Sequence, residues 1–152
     1  MIDEQIIKQY IIELLEKIGL GDDVISVEYF QGATSRFTIS LREHANMLIG
    51  EYGGNLGAFE HILKKITRKR TEREDRFTID VNEYRMRRFE ELKQDVKMAA
   101  RTVRMYRHDM QLRPMSPFER RVVHLLLAEY PDLTTESVGQ DANRRVVIKP
   151  YP

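Results

Sequence analysis

The 152-residue sequence contains no cysteine, which excludes a disulfide framework and a zinc site built from thiolates. No apolar run is long enough to cross a membrane. The first residues, Met1–Glu4, lack the positive charge followed by an apolar stretch that marks a signal peptide. We therefore predict a cytoplasmic protein without membrane association.

The four histidines do not form the pairs that a helical metal site needs. None lies three or four residues from another: His44, His61, His108 and His124. The sequence also has no Walker-type phosphate loop, no nucleophile elbow and no His-Glu-x-x-His motif. We therefore predict that the protein is not an enzyme and holds neither a metal nor a cofactor.

The composition is that of a soluble globular protein, with 41% hydrophobic and 32% charged residues. The net charge is only +1, but the charges are unevenly distributed. The first forty residues are rich in Asp and Glu, whereas basic residues gather after residue 60, at Lys64, Lys65, Arg68, Lys69, Arg70, Arg73 and Arg76. Each one alone is typical of a solvated surface. Together they favour a polyanionic partner.

The first half of the chain shows an ordered series of short elements. Apolar residues at helical spacing predict a helix over residues 4–18, and alternating residues predict a β-hairpin over 24–41. A short helix, a second helix from about Asn55 and a strand over 76–81 follow. Between the two helices lies the loop Gly50-Glu51-Tyr52-Gly53. Its glycines allow a tight turn and a close approach of another backbone.

This order of elements around a Gly-x-x-Gly loop resembles the KH domain of type II. The resemblance implies that the loop clamps the backbone of single-stranded RNA or DNA. Glu51 and Tyr52 depart from the family, in which a Lys or Arg usually occupies this loop. The loop therefore has two open interpretations, a nucleic-acid contact or a contribution to the fold or to dimerisation.

The second half begins with a long helix over residues 82–107, for which Asn82 is a suitable N-cap. A short strand over 110–113 and a hairpin of strands over 133–138 and 144–149 complete the pattern. Between them, Ser116 and Glu119 have the spacing of a capping box. A helix therefore begins at Pro117 and runs to about residue 128.

The helix after Ser116 carries the candidate binding site. Its apolar stripe is predicted to contain Phe118, Val122, Leu125 and Leu126. Arg120 and His124 are four residues apart and therefore stand one turn apart on a common face. Their N–H groups suit a phosphate oxygen, with Arg121 at the flank. Arg121 could instead cap a carboxylate such as Asp132, and Arg144 could be plain solvated charge. His124 could make a structural hydrogen bond to the backbone of a neighbouring strand.

The run from Met115 to His124 resembles the Arg-x-x-x-His domain family, a small α/β module that binds single-stranded nucleic acid. Together with the segments 134–137 and 143–148, it is similar to the Jag branch, which joins a KH domain to this module. The resemblance implies phosphate contacts from six residues: Arg113, Arg120, Arg121, His124, Arg144 and Arg145. It also implies a bacterial RNA-binding regulator of cell division or elongation, able to pair with a small KH protein.

We therefore predict a mixed α/β (α+β) protein of two modules, each a small three-stranded sheet packed with helices. A type II KH-like domain is expected over residues 1–81 and an Arg-x-x-x-His domain over 82–152. The predicted function is non-catalytic binding of single-stranded nucleic acid, RNA rather than DNA. The alternative is a protein-interaction scaffold that forms a homodimer through the KH-like half, favoured by Glu51 and the acidic first forty residues.

Overall fold

The computed structural model describes every residue from Met1 to Pro152 and has a mixed α/β fold. It contains eleven α-helices and strands, in the order α1 (Glu4–Lys17), β1 (Val24–Phe30), β2 (Ser35–Leu41), α2 (Ala45–Ile49), α3 (Gly54–Thr71), β3 (Phe77–Val81), α4 (Tyr84–Tyr106), β4 (Met110–Gln111), α5 (Pro117–Leu127), β5 (Leu133–Val138) and β6 (Arg145–Pro150). The strands form two three-stranded sheets, and the fold class predicted from the sequence is confirmed. None of the helices combines the length and apolar character needed for a membrane span.

The chain divides into two compact units, Met1–Arg85 and Met86–Pro152. In the first unit the sheet order is β1-β2-β3, with β1 and β2 antiparallel and β2 and β3 parallel. The central strand β2 supplies three fully buried side chains, Phe37, Ile39 and Leu41. They pack in one hydrophobic core with the buried faces of α1 and α3, because alternate residues of a strand point to the same side.

The junction between β3 and α4 differs from the sequence prediction. Asn82 does not cap α4: its side chain instead bonds Leu41, accepting from the backbone N–H at 2.8 Å and donating to the carbonyl at 3.0 Å. The capping carboxylate is that of Asp80, which is 4% exposed and accepts from the backbone N–H of Arg85 at 3.0 Å. Asn82 therefore ties the end of β2 to the start of the helix.

In the second unit the sheet order is β4-β6-β5, and both pairings are antiparallel. The last strand of the sequence is therefore the central one. Its buried residues Val146 and Ile148 pack against α4 and α5 in a single core. Five side chains of α4 enter this core, at Leu92, Val96, Ala99, Ala100 and Val103.

Helix α5 begins as the capping box predicts. The hydroxyl of Ser116 accepts from the backbone N–H of Glu119 at 3.2 Å, and the Glu119 carboxylate accepts from the backbone N–H of Ser116 at 3.0 Å. The same carboxylate accepts from Arg88 Nε of α4 at 2.5 Å and is 4% exposed. Glu119 therefore fixes the start of α5 and joins this helix to α4.

The predicted apolar stripe of α5 is partly wrong. Phe118 is 62% exposed and Leu125 is 67% exposed, whereas the core contains Val122, Val123 and Leu127. The apolar residues of this helix cover more than one face, and packing against the sheet and α4 decides which of them is buried. The sequence alone does not determine that choice.

Candidate nucleic-acid interface

Arg120 lies on the flank of α5 and is half-buried. Its Nη1 donates to the carbonyl oxygen of Met115 at 2.8 Å, and the backbone N–H of Met115 donates to the carbonyl oxygen of Arg144 at 3.2 Å. Met115 therefore brings the first turn of α5 next to the start of β6. Arg120 makes no ion pair with a carboxylate, so its positive charge remains available to a ligand.

His124 stands one turn after Arg120 and faces strand β5. Its Nδ1 is 2.7 Å from Thr135 Oγ1, and its Nε2 is 3.0 Å from Ser137 Oγ. Burial of the ring, together with the positive charge of Arg120, lowers the pKa of His124 below its ordinary value of 6.5. The imidazole is therefore neutral at pH 7 and contributes hydrogen bonds rather than charge to this site.

Arg121 is exposed on the outer face of α5 and makes neither a hydrogen bond nor an ion pair within the chain. Asp132, the carboxylate with which it could have paired, accepts from Arg104 Nε at 2.7 Å instead. The guanidinium of Arg121 is therefore free to contact a ligand.

The other three predicted arginines differ in how far their charges are compensated. Arg113 Nη2 lies 3.0 Å from Asp95 Oδ2 of α4, so its charge is paired with a carboxylate. Arg144 donates to the carbonyl of Gly139 at 2.9 Å, and Arg145 donates to the carbonyl of Asn143 at 3.2 Å. No carboxylate therefore compensates the positive charges of Arg144 and Arg145, whereas Arg113 is turned toward α4.

Three residues of this surface are not predicted to belong to it from the sequence. Phe118 is predicted in the core, but its ring is exposed three residues before Arg121. Thr135 and Ser137 belong to a segment that carries the family resemblance, which implies no role for their hydroxyls. Their alternation along β5 already places both on one face of the strand. The sequence therefore indicates that the two hydroxyls share one face of β5, but it does not indicate which residue of α5 faces them.

The Gly50–Gly53 loop belongs to the first unit. Gly50 and Gly53 have positive φ angles of 72° and 75°, and Tyr52 has a φ of 53°. Glu51 and Tyr52 are both exposed, and no side chain caps the start of α3. The backbone N–H groups of Gly50 and Gly53 donate to the carbonyls of Asn46 and Gly50, so the loop presents one carboxylate and no cation between its glycines.

Replacement of Gly50 by alanine is expected to destabilise the first unit by about 2 kcal/mol, because φ 72° and ψ −177° form a conformation reserved for glycine. An added Cβ would also lie 2.5 Å from Cγ of Asn55, whose side chain donates to the carbonyl of Met47. The matched control is Gly57→Ala in α3, where nothing lies within 4 Å of the added methyl. Urea denaturation should show the control to be stabilised by about 0.5–1 kcal/mol. Equal free energies of unfolding for the two variants would show that the conformation at Gly50 does not require glycine.

No group of three or more His, Asp or Glu side chains is placed to hold a metal ion. The polar chemistry of the α5 surface is instead that of N–H and O–H donors. Guanidinium groups offer paired donors that match phosphate oxygens, and hydroxyls can donate to the same oxygens.

Comparison with known protein families identifies an Arg-x-x-x-His domain, the family named for an Arg and a His separated by three residues, over residues 90–150. This range includes α5 and the whole sheet of the second unit. Among curated proteins, the chain is 32% identical over 143 residues to "RNA-binding protein KhpB" of Bacillus subtilis (strain 168), with 93% of this chain and 67% of the relative covered. A protein of the same name from Clostridium symbiosum is 29% identical over 141 residues, with 92% and 63% covered.

A third relative of that name, from Lactiplantibacillus plantarum, is 29% identical over 140 residues, with 91% of this chain and 42% of the relative covered. The chain thus spans about two thirds or less of the length of these curated relatives. The matches extend over nearly all of the chain and are not confined to the Arg-x-x-x-His domain. The chain therefore contains an Arg-x-x-x-His domain and belongs to the family of the proteins named KhpB.

Proposed function

We propose that this protein binds single-stranded RNA and acts as a regulatory RNA-binding protein without catalysis. One observation carries the proposal: Arg120 and Arg121 on α5, and Arg144, whose carbonyl accepts from the backbone N–H of Met115, make no ion pair with a carboxylate. The names of the curated relatives support RNA as the ligand. The lowered pKa of His124 places the positive charge of this surface on the arginines.

The proposed mechanism is phosphate recognition by these arginines. Guanidinium groups release counterions from the strand when they neutralise phosphates, so affinity falls as salt rises. Such contacts set the affinity and the position of the strand but do not read its sequence. The protein therefore needs a second kind of contact for any base preference.

A salt titration of binding to matched single-stranded RNA and DNA tests the proposal. Three phosphate contacts should give a slope of about −2 for log K against log salt, since each contact on a single strand contributes about −0.7. RNA is expected to bind more tightly than DNA of the same sequence. Absence of binding at low salt would exclude the proposed function.

Phe118 is proposed to stack on a base. Its ring is exposed one helical turn before Arg121, so a strand held by that arginine can place a base on it. The variant Phe118→Ala should lose about 1 kcal/mol of binding free energy, or roughly fivefold in affinity, with no change in salt slope. Filter binding measures both quantities.

The control for this variant is Phe89→Ala on α4, since Phe89 is 40% exposed and Lys93 already lies over its ring. This control should bind RNA as the unaltered protein does. Equal losses in the two variants, or no loss in Phe118→Ala, would exclude the stacking contact.

We further propose that residues 1–81 form a type II KH-like domain and that residues 82–152 form the Arg-x-x-x-His domain. The order of helices and strands around the Gly50–Gly53 loop supports the first assignment.

By resemblance to Jag-type proteins, we propose a cytoplasmic bacterial regulator of cell division or elongation. Loss of the gene should then change cell length or width.

Glu51 favours a second candidate function for the first unit. Its exposed carboxylate repels phosphate, while the adjoining ring of Tyr52 is accessible to a protein partner. We propose that this loop contacts a second copy of the chain or a small KH protein. Sedimentation should detect a dimer, which the variant Tyr52→Ala weakens. If the chain stays monomeric at all concentrations and also binds no small KH protein, this candidate is excluded.

A further inference from the structure

The hydroxyls of Thr135 and Ser137 form a pair on the face of β5 that looks toward α5. Thr135 is opposite Ile148 and Ser137 is opposite Val146 in the register with β6. Both of those partners are fully buried in the core beneath α5, and cross-strand partners lie on the same face of a sheet. The two hydroxyls are half-buried at the edge of this face, because β5 is an edge strand.

His124 holds both hydroxyls at once, through Nδ1 and Nε2 at 2.7 and 3.0 Å. A neutral imidazole has one N–H and one bare nitrogen. The N–H donates to one hydroxyl oxygen, while the other hydroxyl donates its proton to the bare nitrogen. Only the hydroxyl that accepts from the ring therefore keeps a proton with which to donate elsewhere.

We propose that Thr135 and Ser137 are ligand-contacting residues, whose hydroxyls donate to a phosphodiester oxygen of the bound strand while His124 positions them. This inference rests on the proposed function, since it assumes that the strand lies beside Arg120. It assigns Thr135 and Ser137 as uncharged donors within a surface otherwise described by its arginines. His124 is then a positioning residue, which acts on the phosphate through the two hydroxyls and does not contact it.

The arrangement couples ligand binding to a proton. When the imidazole takes up a proton, both ring nitrogens donate, and both hydroxyl protons become free to point toward the phosphate. The bound strand therefore favours the protonated ring, whereas burial and Arg120 disfavour it in the free protein. Binding should strengthen as pH falls, since a proton is taken up with the strand.

The charged groups around the ring are few. On α5, Arg120 lies one turn before His124 and its charge opposes protonation. On β5, Glu136 points to the opposite face and pairs with Lys149 of β6 at 2.8 Å. The residues of β6 beneath the ring side, Val146 and Ile148, are apolar. A phosphate is thus the anion that can offset the charge of a protonated His124.

The first test removes the hydroxyls and keeps the shape of the strand. The double variant Thr135→Val, Ser137→Ala should bind single-stranded RNA about tenfold more weakly, as expected when hydrogen bonds to a charged oxygen are lost. Because hydroxyls carry no charge, the slope of log K against log salt should stay that of the unaltered protein. The matched control is Thr134→Val, which changes an exposed threonine on the opposite face of β5 and should leave affinity unchanged.

Two outcomes overturn the inference. One is an affinity within about twofold of the unaltered protein, a change smaller than that expected for a lost hydrogen bond to a charged group. The other is a shallower salt slope, which shows that the variant acts by displacing the arginines. If Arg120→Ala weakens binding while the hydroxyl variant does not, only this inference fails. If neither variant weakens binding, the proposed function fails as well.

The second test distinguishes the effect of protonating His124 from its structural role. Binding by the unaltered protein should strengthen several-fold between about pH 7.5 and 5.5, the range in which a histidine titrates. The variant His124→Gln keeps a donor and an acceptor but cannot titrate, so it should lack this part of the pH dependence. An identical pH profile in the two proteins overturns the coupling.

Discussion

Replacement of Glu119 by alanine is expected to lower the free energy of unfolding of the second unit by about 3–5 kcal/mol, the range for breaking a buried ion pair from one side. The substitution leaves the guanidinium of Arg88, which is mostly buried, without its buried carboxylate. It also removes half of the capping box at Ser116.

Urea denaturation of the variant measures this effect, and Glu91→Ala is its control. Glu91 is the other carboxylate that binds Arg88, at 3.0 Å, but it is exposed. An exposed pair is worth at most about 1 kcal/mol, so the control should unfold almost as the unaltered protein does. Similar losses of unfolding free energy in the two variants would show that the burial of Glu119 does not determine how much its contacts stabilise the second unit.

The double variant Arg120→Ala, Arg121→Ala is expected to bind single-stranded RNA at least tenfold more weakly. Two phosphate contacts are lost, so the slope of log K against log salt should become shallower by about 1.4. The second unit should remain folded, because neither arginine belongs to its hydrophobic core. Filter binding across a salt series, with circular dichroism as a check on folding, tests this expectation.

A second double variant, Lys97→Ala with Arg101→Ala, controls for net charge. Both residues are exposed on α4, four positions apart, and their loss changes the charge of the protein by the same amount. Binding should weaken far less than in the first variant, because these residues lie outside the proposed interface. Equal weakening would mean that RNA recognises overall charge and that the surface at α5 is not the binding site.

Much of the fold could be predicted from the sequence because its signals are local. Ser116, Pro117 and Glu119 fix the first turn of α5 through contacts within four residues. The hairpin of β1 and β2 follows from alternation between two short runs. In these places the chain itself contains both partners of the interaction at a fixed spacing.

The site was less predictable, since its properties depend on partners distant in sequence. Phe118 is exposed because Val122 and Val123 contact the core instead. Asn82 bonds Leu41, which is 41 residues away, and so does not cap α4. Burial and the charge of Arg120 lower the pKa of His124, and its two hydroxyl partners come from β5, which helical spacing cannot reveal.

The central place of β6 has a consequence for synthesis of the protein. Strands β4 and β5 do not pair with each other, and each is held only by β6. During translation, the residues of α4, β4, α5 and β5 leave the ribosome before their common partner exists. The hydrophobic core of the second unit therefore cannot close until β6 has emerged and has paired with both β4 and β5.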